Sequence, residues 1–330
     1  VVVATRDRAS SLRATLSALS RSLRPGDELI VVDSASRDAH VSALAEALGA
    51  TVVRADTPGA CRARNLGART ARCEVIAFTD DDCDPDPGWV AAVASAFTDH
   101  PETAFLTGRV LAGRGTRRRL SVSVVEDDTP AAFDASALPA DGPVPEMLGH
   151  GANMAWRRSA LDAIGGFDET LGPGAPLRAA EDQDAFWRAL RVGLIGRYEP
   201  AAVVHHRQWR DVAGQLAAFY GYGVGTGGLC VKRWRIASAE RAVPPTGGQM
   251  TAVRTAGGGA GGILRSRAGR QALRSVWDDG VAAVARRMRE GYELGALAEA
   301  AGLAGALRGA RRAWRIPVVG DHFALDRRAE

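Results

Sequence analysis

The sequence predicts an α/β fold: a mostly parallel sheet flanked by helices, followed by a helical C-terminal appendage. Three observations predict it. Short, fully apolar runs alternate with stretches of helical periodicity through residues 1–112, as strands covered on both faces by helices require. Three of the first four apolar runs pass directly into polar or acidic loops, 5–8, 33–36 and 80–82, which a parallel sheet would gather on one rim, where ligands bind. Beyond residue 240 the pattern changes to glycine clusters and alanine/arginine-rich stretches of helical character.

Taken in order, Val1-Val2-Val3-Ala4 is a strand, and Leu12, Leu16 and Leu19 recur at helical spacing behind it. The turn at Pro25-Gly26 leads into the strand Leu29-Ile30-Val31-Val32, a helix through Leu44 and Leu48, and a third strand at Thr51-Val52-Val53. Pro58-Gly59 precedes a helix over 60–71, and Val75-Ile76-Ala77-Phe78 is the fourth strand. A helix over 89–97 and a strand over 104–112 follow, then an irregular stretch, 114–145, read as a mobile loop. Order resumes at 151–157, with a turn at 165–169, a helix over 180–192 and a last strand at 201–204 that runs into His205-His206.

The composition, 46% hydrophobic and 24% charged over 330 residues, is that of a globular protein with a sizeable core. The net charge of +4 suits an anionic partner without choosing one. Of 42 basic residues only Lys232 is a lysine, which points to coding bias more than to a binding mode. The four cysteines, at 61, 73, 83 and 230, form no CxxC pair, so neither a zinc site nor a disulfide framework is expected. No run of eighteen apolar residues and no leader pattern is present. A cytoplasmic setting is therefore expected, and because the chain opens in mid-strand, native residues are expected to precede Val1.

Asp80, Asp81 and Asp82 follow an apolar strand, and three like charges at close range call for a counter-cation. Mg2+ or Mn2+ held by one carboxylate and phosphate oxygens is one solution; a solvated turn or a helix cap is the alternative. Glu181-Asp182, with Asp184 behind it, opens a helix. Carboxylates there serve equally as caps or as a general base for a hydroxyl. His205 and His206 are metal ligands or merely a polar strand end. Residues 223–228 match GxGxxG, but the preceding stretch reads as helix, the wrong context for a dinucleotide fingerprint. There is no phosphate loop, nucleophile elbow or HExxH.

In this order the motifs resemble glycosyltransferase family 2, over roughly residues 1–235. Val1 to Arg8 resembles its opening strand and nucleotide loop, 28–36 its second strand, 59–67 its glycine-x-x-x-alanine-arginine-asparagine helix, and Phe78-Thr79-Asp80-Asp81-Asp82 its DxD-type motif. Residues 151–158, 165–169 and 181–184 resemble the acceptor side, and 200–206 the segment that often ends in a metal-binding histidine. The resemblance implies the Rossmann-like GT-A fold and an inverting, metal-dependent transfer of a sugar from a nucleoside diphosphate, most commonly UDP. It places Thr5, Arg6, Asp33, Arg62, Asn65, Asp80 and Asp81 at the donor. Asp82 and His206 would hold Mg2+ or Mn2+, and Asp182, backed by Glu181, would be the base. Gln208-Trp209-Arg210 is not the QxxRW of processive polymerases, which argues for single transfers.

The expected division is a catalytic domain at 1–240, with a donor half at 1–112 and an acceptor half at 146–240, and a helical region at 241–330. The expected partners are a nucleotide-sugar donor and an unidentified acceptor (glycan, lipid-linked or small molecule), not nucleic acid. Eleven arginines against five acids over 265–315, interleaved with apolar residues, suit either peripheral contact with the inner face of an anionic membrane or a solvated helical face. Two rivals are a sugar nucleotidylyltransferase, which needs a glycine-rich N-terminal loop although 5–15 contain no glycine, and a non-catalytic basic binding protein, which leaves the two acidic clusters unexplained.

Overall fold

A computed structural model describes residues 1–38, 40–113, 124–138, 148–242, 293–316, 318–319 and 322–323. They form two compact units: the described residues of 1–138, 148–167 and 181–210, and those of 168–180 and 211–330.

The first unit is built on a nine-stranded sheet. Its strands are β1 (Val2–Thr5), β2 (Ile30–Ser34), β3 (Thr51–Ala55), β4 (Val75–Asp80), β5 (Cys83–Pro85), β6 (Thr103–Ala112), β7 (Ala131–Phe133), β8 (Asn153–Arg157) and β9 (Ile195–His206). Its helices are α1 (Ala9–Leu19), α2 (His40–Ala47), α3 (Ala60–Thr70), α4 (Trp89–Asp99), α5 (Arg158–Ala163) and α6 (Glu181–Arg191). The order is β3-β2-β1-β4-β8-β6-β9-β5, with β7 also on β9. β3, β2, β1 and β4 are parallel, so the expected rim of loops after β1, β2 and β4 exists. β8 runs antiparallel to both β4 and β6, and β5 and β7 antiparallel to β9. The sheet is thus mixed beyond β4, because β8 enters between β4 and β6 from the opposite direction.

The core follows the periodicities. Leu12, Leu16 and Leu19 of α1 are fully buried against Val3, Val31 and Trp89, each burial contributing about 1.5–3 kcal/mol. Phe105, Trp156 and Phe186 stack with ring centroids 4.9–5.8 Å apart.

Two strands differ from expectation. β9 is twelve residues long and not the four at 201–204, and it carries a bulge against β6 between Gly108 and Arg109. Asn153 staples that bulge, its amide nitrogen donating to Arg109 O at 2.8 Å and Ala202 O at 2.7 Å while its oxygen accepts from Trp89 Nε1 at 2.8 Å. A side chain at Gly108 would strike the Ala202 carbonyl. The three-residue β5 gives no periodic signal of its own. Within 114–145, β7 and a bridge from Val125 to Val110 are ordered additions to the sheet edge; 114–123 and 139–147 lie outside the described residues.

The second unit contains α7 (Val212–Ala242), α8 (Glu293–Ala313) and the short pair β10 (Val318–Val319) and β11 (His322–Phe323). The glycines at 223–228 lie inside α7, so the dinucleotide reading stays excluded. They serve close packing: a methyl group at Gly223 or Gly227 would strike Gly302 O or Ala306 O, and at Gly305 or Gly309 would strike Tyr220 O or Val224 O. This packing joins 211–240 to α8, whereas the expected boundary lay at 240. The only lysine, Lys232, is fully buried and donates to Asp168 Oδ2 at 2.7 Å. Of the expected membrane-facing stretch, 265–292 lies outside the described residues; in α8, Arg308, Arg311 and Arg312 are exposed while the Gly/Ala face meets α7. Among the described residues no helix is long and apolar enough to cross a membrane.

Candidate active site

Two loops are stitched together at the rim. Asp7 N–H donates to Ser36 Oγ at 2.9 Å, and Asp7 Oδ1 accepts from Arg37 N–H at 2.6 Å. Asp7 and Ala35 both hold the left-handed conformation, φ 54° and 55°, which costs energy for residues with a Cβ and is often found where a loop is shaped for a ligand. Next to them, β4 ends at Asp80, and Asp81 and Asp82 form the turn into β5.

Asp81 is fully buried, accepting from Thr5 Oγ1 at 2.6 Å and pairing with Arg8. Burial pushes its carboxyl up to about 7 against the pull of Arg8 and Thr5. Asp82, also buried, has two differently used oxygens. Oδ2 accepts from Arg8 Nη1 at 2.9 Å and from Trp209 Nε1 at 2.8 Å. Oδ1 faces His206 Nε2 at 3.4 Å and Cys83 Sγ at 4.0 Å. Burial opposes ionisation of Asp82, but His206, Arg8 and the Trp209 N–H outweigh it and hold its carboxyl below the ordinary range.

The β5–β9 pairing brings these groups together, since Cys83 stands opposite His206. One oxygen, one imidazole nitrogen and one sulfur lie within 4.8 Å of one another. Two ligands of one Mg2+ or Mn2+ at about 2.1 Å and right angles stand about 3 Å apart, so Asp82 Oδ1 and His206 Nε2 fit such an ion. Cys83 fits less well: burial and then the charges of Asp80 and Asp82 raise its thiol well above the usual value, and hard cations prefer oxygen to sulfur. His205 projects from the other face of β9 and pairs with Asp86 at 3.1 Å.

On the acceptor side, Glu181, Asp182 and Asp184 open α6. Asp184 is fully buried and paired with Arg188 at 2.8 Å. Glu181 is 8% exposed and accepts from Arg64 Nη1 at 2.8 Å; burial raises its carboxyl, with Arg64 opposing. Asp182 alone of the three is half-exposed, held by Gly151 N–H at 2.7 Å and Gln183 N–H at 2.7 Å. Arg64, on α3, also donates to Asp80 Oδ1 at 2.8 Å, so one buried guanidinium joins the β4 terminus to the start of α6.

The model for glycosyl transferase family 2 matches residues 1–165, half of the chain. The chain belongs to glycosyl transferase family 2. It is 33% identical over 239 residues to the pre-mycofactocin glycosyltransferase of Mycobacterium tuberculosis, a match covering 67% of this chain and 45% of that protein. An uncharacterized glycosyltransferase of Haemophilus influenzae is 32% identical over 83 residues, 25% of this chain and 28% of that protein. The chain thus spans less than half the length of either relative. Among solved structures it is similar to a mannosyltransferase of Pyrobaculum calidifontis, solved with GDP-Man and Mn2+, with a TM-score of 0.56, 17% identity and coverage of 93% and 85%. It is also similar to residues 1–349 of Staphylococcus aureus TarS, with a TM-score of 0.51, 15% identity and coverage of 93% and 90%. These likenesses show the GT-A fold.

Within this family 2 fold, the structure brings Thr5, Asp80, Asp81, Asp82 and His206 to the β1/β4 rim, and Arg64 links Asp80 to Glu181 and hence to Asp182. The other expected donor residues have protein partners or exposed positions. Asp33 is fully buried, accepting from Ser36 N–H at 2.8 Å and Ser42 Oγ at 3.2 Å and pairing with Arg54, so its carboxylate shapes the 33–36 loop. Asn65 accepts from Phe167 N–H at 2.8 Å and donates to Phe167 O at 2.9 Å, which makes it a clamp on the 165–167 turn. Arg6 is exposed beside Asp7, and Arg62 is half-buried on α3. Arg8 and Arg64 fall within the sequence motifs without a role that spacing could assign, and Trp209 registers in the sequence only through the absence of a processive motif.

Proposed function

We propose that this protein is an inverting, non-processive, metal-dependent glycosyltransferase that moves a sugar from a nucleoside diphosphate, with UDP the expected nucleotide, to an acceptor hydroxyl. One observation carries the reading: Arg64 ties the carboxylate that ends β4 to the carboxylates that open α6, so a donor rim and a half-exposed Asp182 belong to one site. Family membership supports it, as does the likeness to a Pyrobaculum mannosyltransferase solved in complex with GDP-Man and Mn2+.

Asp82 and His206 would hold Mg2+ or Mn2+, which when bound would neutralise the diphosphate leaving group. Asp182 accepts the proton of the acceptor hydroxyl as its oxygen bonds to the anomeric carbon, and the bond from that carbon to the diphosphate breaks on the opposite face. The configuration inverts in one displacement. The N–H groups of Gly151 and Gln183 fix the Asp182 carboxylate. Asp184, paired with Arg188, has no comparable opening. The reading includes a cytoplasmic setting, and the arginine-rich sequence of 265–315 fits either peripheral contact with anionic lipid or a solvated helical face.

The test compares Asp82→Asn with Asp182→Asn by calorimetric titration of UDP- and GDP-sugars with Mn2+, and by single-turnover transfer to an acceptor. Asp82→Asn should lose metal-dependent donor binding. Asp182→Asn should keep it and lose about 10² to 10⁴ in rate. Near-native transfer by Asp182→Asn, or loss of donor binding in it, would overturn the assignment of the base.

A further inference from the structure

Trp209 is 53% exposed, and core packing does not explain a large aromatic left that open. Its contacts are polar. Nε1 donates to Asp82 Oδ2 at 2.8 Å. The indole ring lies 4.9 Å from the Arg8 guanidinium carbon and 4.6 Å from that of Arg210, a cation–π arrangement that holds the ring without burying it. Arg8 Nη1 reaches the same Asp82 oxygen at 2.9 Å. Oδ2 therefore accepts two N–H groups, whereas Oδ1 is left toward His206 Nε2.

A carboxylate can bind a cation through either oxygen or both. Mg2+ demands near-octahedral geometry and Mn2+ takes similar oxygen ligands, so a site built on one carboxylate and one imidazole depends on which oxygen is offered and at what angle. Groups behind the ligands commonly set this. We propose that Trp209 is a positioning residue for the metal: its N–H pins Oδ2 of Asp82 and so presents Oδ1 beside His206 Nε2 as a two-point site for Mg2+ or Mn2+. The proposal rests on the metal-dependent reading of the site. It adds a residue that no motif in the sequence marks, and it makes the indole a direct neighbour of the bound ion.

The test titrates Mn2+ into the full chain and follows free Mn2+ by electron paramagnetic resonance and tryptophan emission in parallel. Wild type, Trp209→Phe and Asp82→Asn are compared. Phenylalanine keeps an aromatic ring beside the two arginines and removes the N–H together with the pyrrole part of the indole. Losing one hydrogen bond to buried Asp82 should lower the thermal midpoint of metal-free Trp209→Phe by only a few degrees, with a single cooperative transition kept, while its Mn2+ affinity should fall about 10- to 100-fold. Mn2+ should quench part of the wild-type emission, and that part should be missing in Trp209→Phe. Mn2+ affinity in Trp209→Phe within twofold of wild type, with binding lost in Asp82→Asn, overturns the role of Trp209 and leaves the metal site standing. Absence of Mn2+ binding by wild type, with and without UDP or GDP, overturns the metal reading and this proposal together.

Discussion

Replacing Arg64 by methionine should be among the most destabilising single changes in the first unit. The guanidinium is 5% exposed and answers two carboxylates at 2.8 Å each. The Asp80 side chain is 33% exposed, so solvent screens its share to less than about 1 kcal/mol. The Glu181 side chain is only 10% exposed, and stripping the partner from a buried ion costs about 3–5 kcal/mol. With a urea m-value of about 3 kcal/mol/M, the unfolding midpoint should fall by about 1 to 1.7 M. The sign of the pH dependence follows from Glu181. Burial already raises its carboxyl above the ordinary value, and without Arg64 it rises further, so the folded state takes up protons that the unfolded chain releases. The deficit should be small below about pH 4.5, where Glu181 is protonated in both states, and grow as pH rises. Glu181→Leu combined with Arg64→Met should recover part of the loss, because it removes the orphaned charge. Urea titrations of the single and double variants at pH 4.5, 6 and 8 are the assay. A deficit under about 1 kcal/mol at pH 8, or one constant across that range, would refute the account.

His206→Ala should raise the Mn2+ concentration needed for donor binding by about 10-fold or more, whereas His205→Ala should not, because His205 lies on the opposite face against Asp86; a larger effect for His205 reverses the assignment. Glu28 is pushed down to about 2, chiefly by the Arg72 backbone N–H, with burial opposing and the Arg72 guanidinium and Cys73 adding to the pull. Glu28→Gln should therefore cost about 1 kcal/mol at pH 7, and the gap should close as pH falls from about 4.5 toward 2, measured by urea midpoints at pH 7 and 3. Gly227→Ala places a methyl group against the Ala306 carbonyl and should destabilise the α7–α8 pair by about 1–3 kcal/mol. Gly302→Ala meets only Phe219 O at 3.6 Å and should stabilise it by up to about 1 kcal/mol; thermal circular dichroism that ranks the two alike would contradict the packing.

Local periodicity made the frame legible. The apolar runs at 1–4, 29–32 and 75–78 and the leucine spacing of α1 depend on neighbours within a few residues, and the parallel pairing of the strands puts the acidic loops on one rim. Asp80 to Asp82, Glu181-Asp182 and His206 were legible because clustered carboxylates after a strand and a histidine at a strand end are visible without partners. By itself the sequence determined the α/β alternation, the acidic turn, and the exclusion of a dinucleotide fingerprint at 223–228.

Tertiary structure alone decided what each polar group does. Arg64 and Glu181 are 117 positions apart, Asn65 and Phe167 102, Asp82 and Trp209 127. No local pattern specifies such pairs, since a hydrogen bond or ion pair depends on where distant backbone segments converge. Asp33 and Asn65 look alike from the sequence as candidate donor contacts, and the fold shows what spacing does not: one braces the 33–36 loop and the other clamps the 165–167 turn. The three residues of β5 are too few for a period, and their pairing with β9 exists only because β9 arrives beside β6. That pairing brings His206 to Asp82, a contact set by sheet closure and invisible to residue spacing.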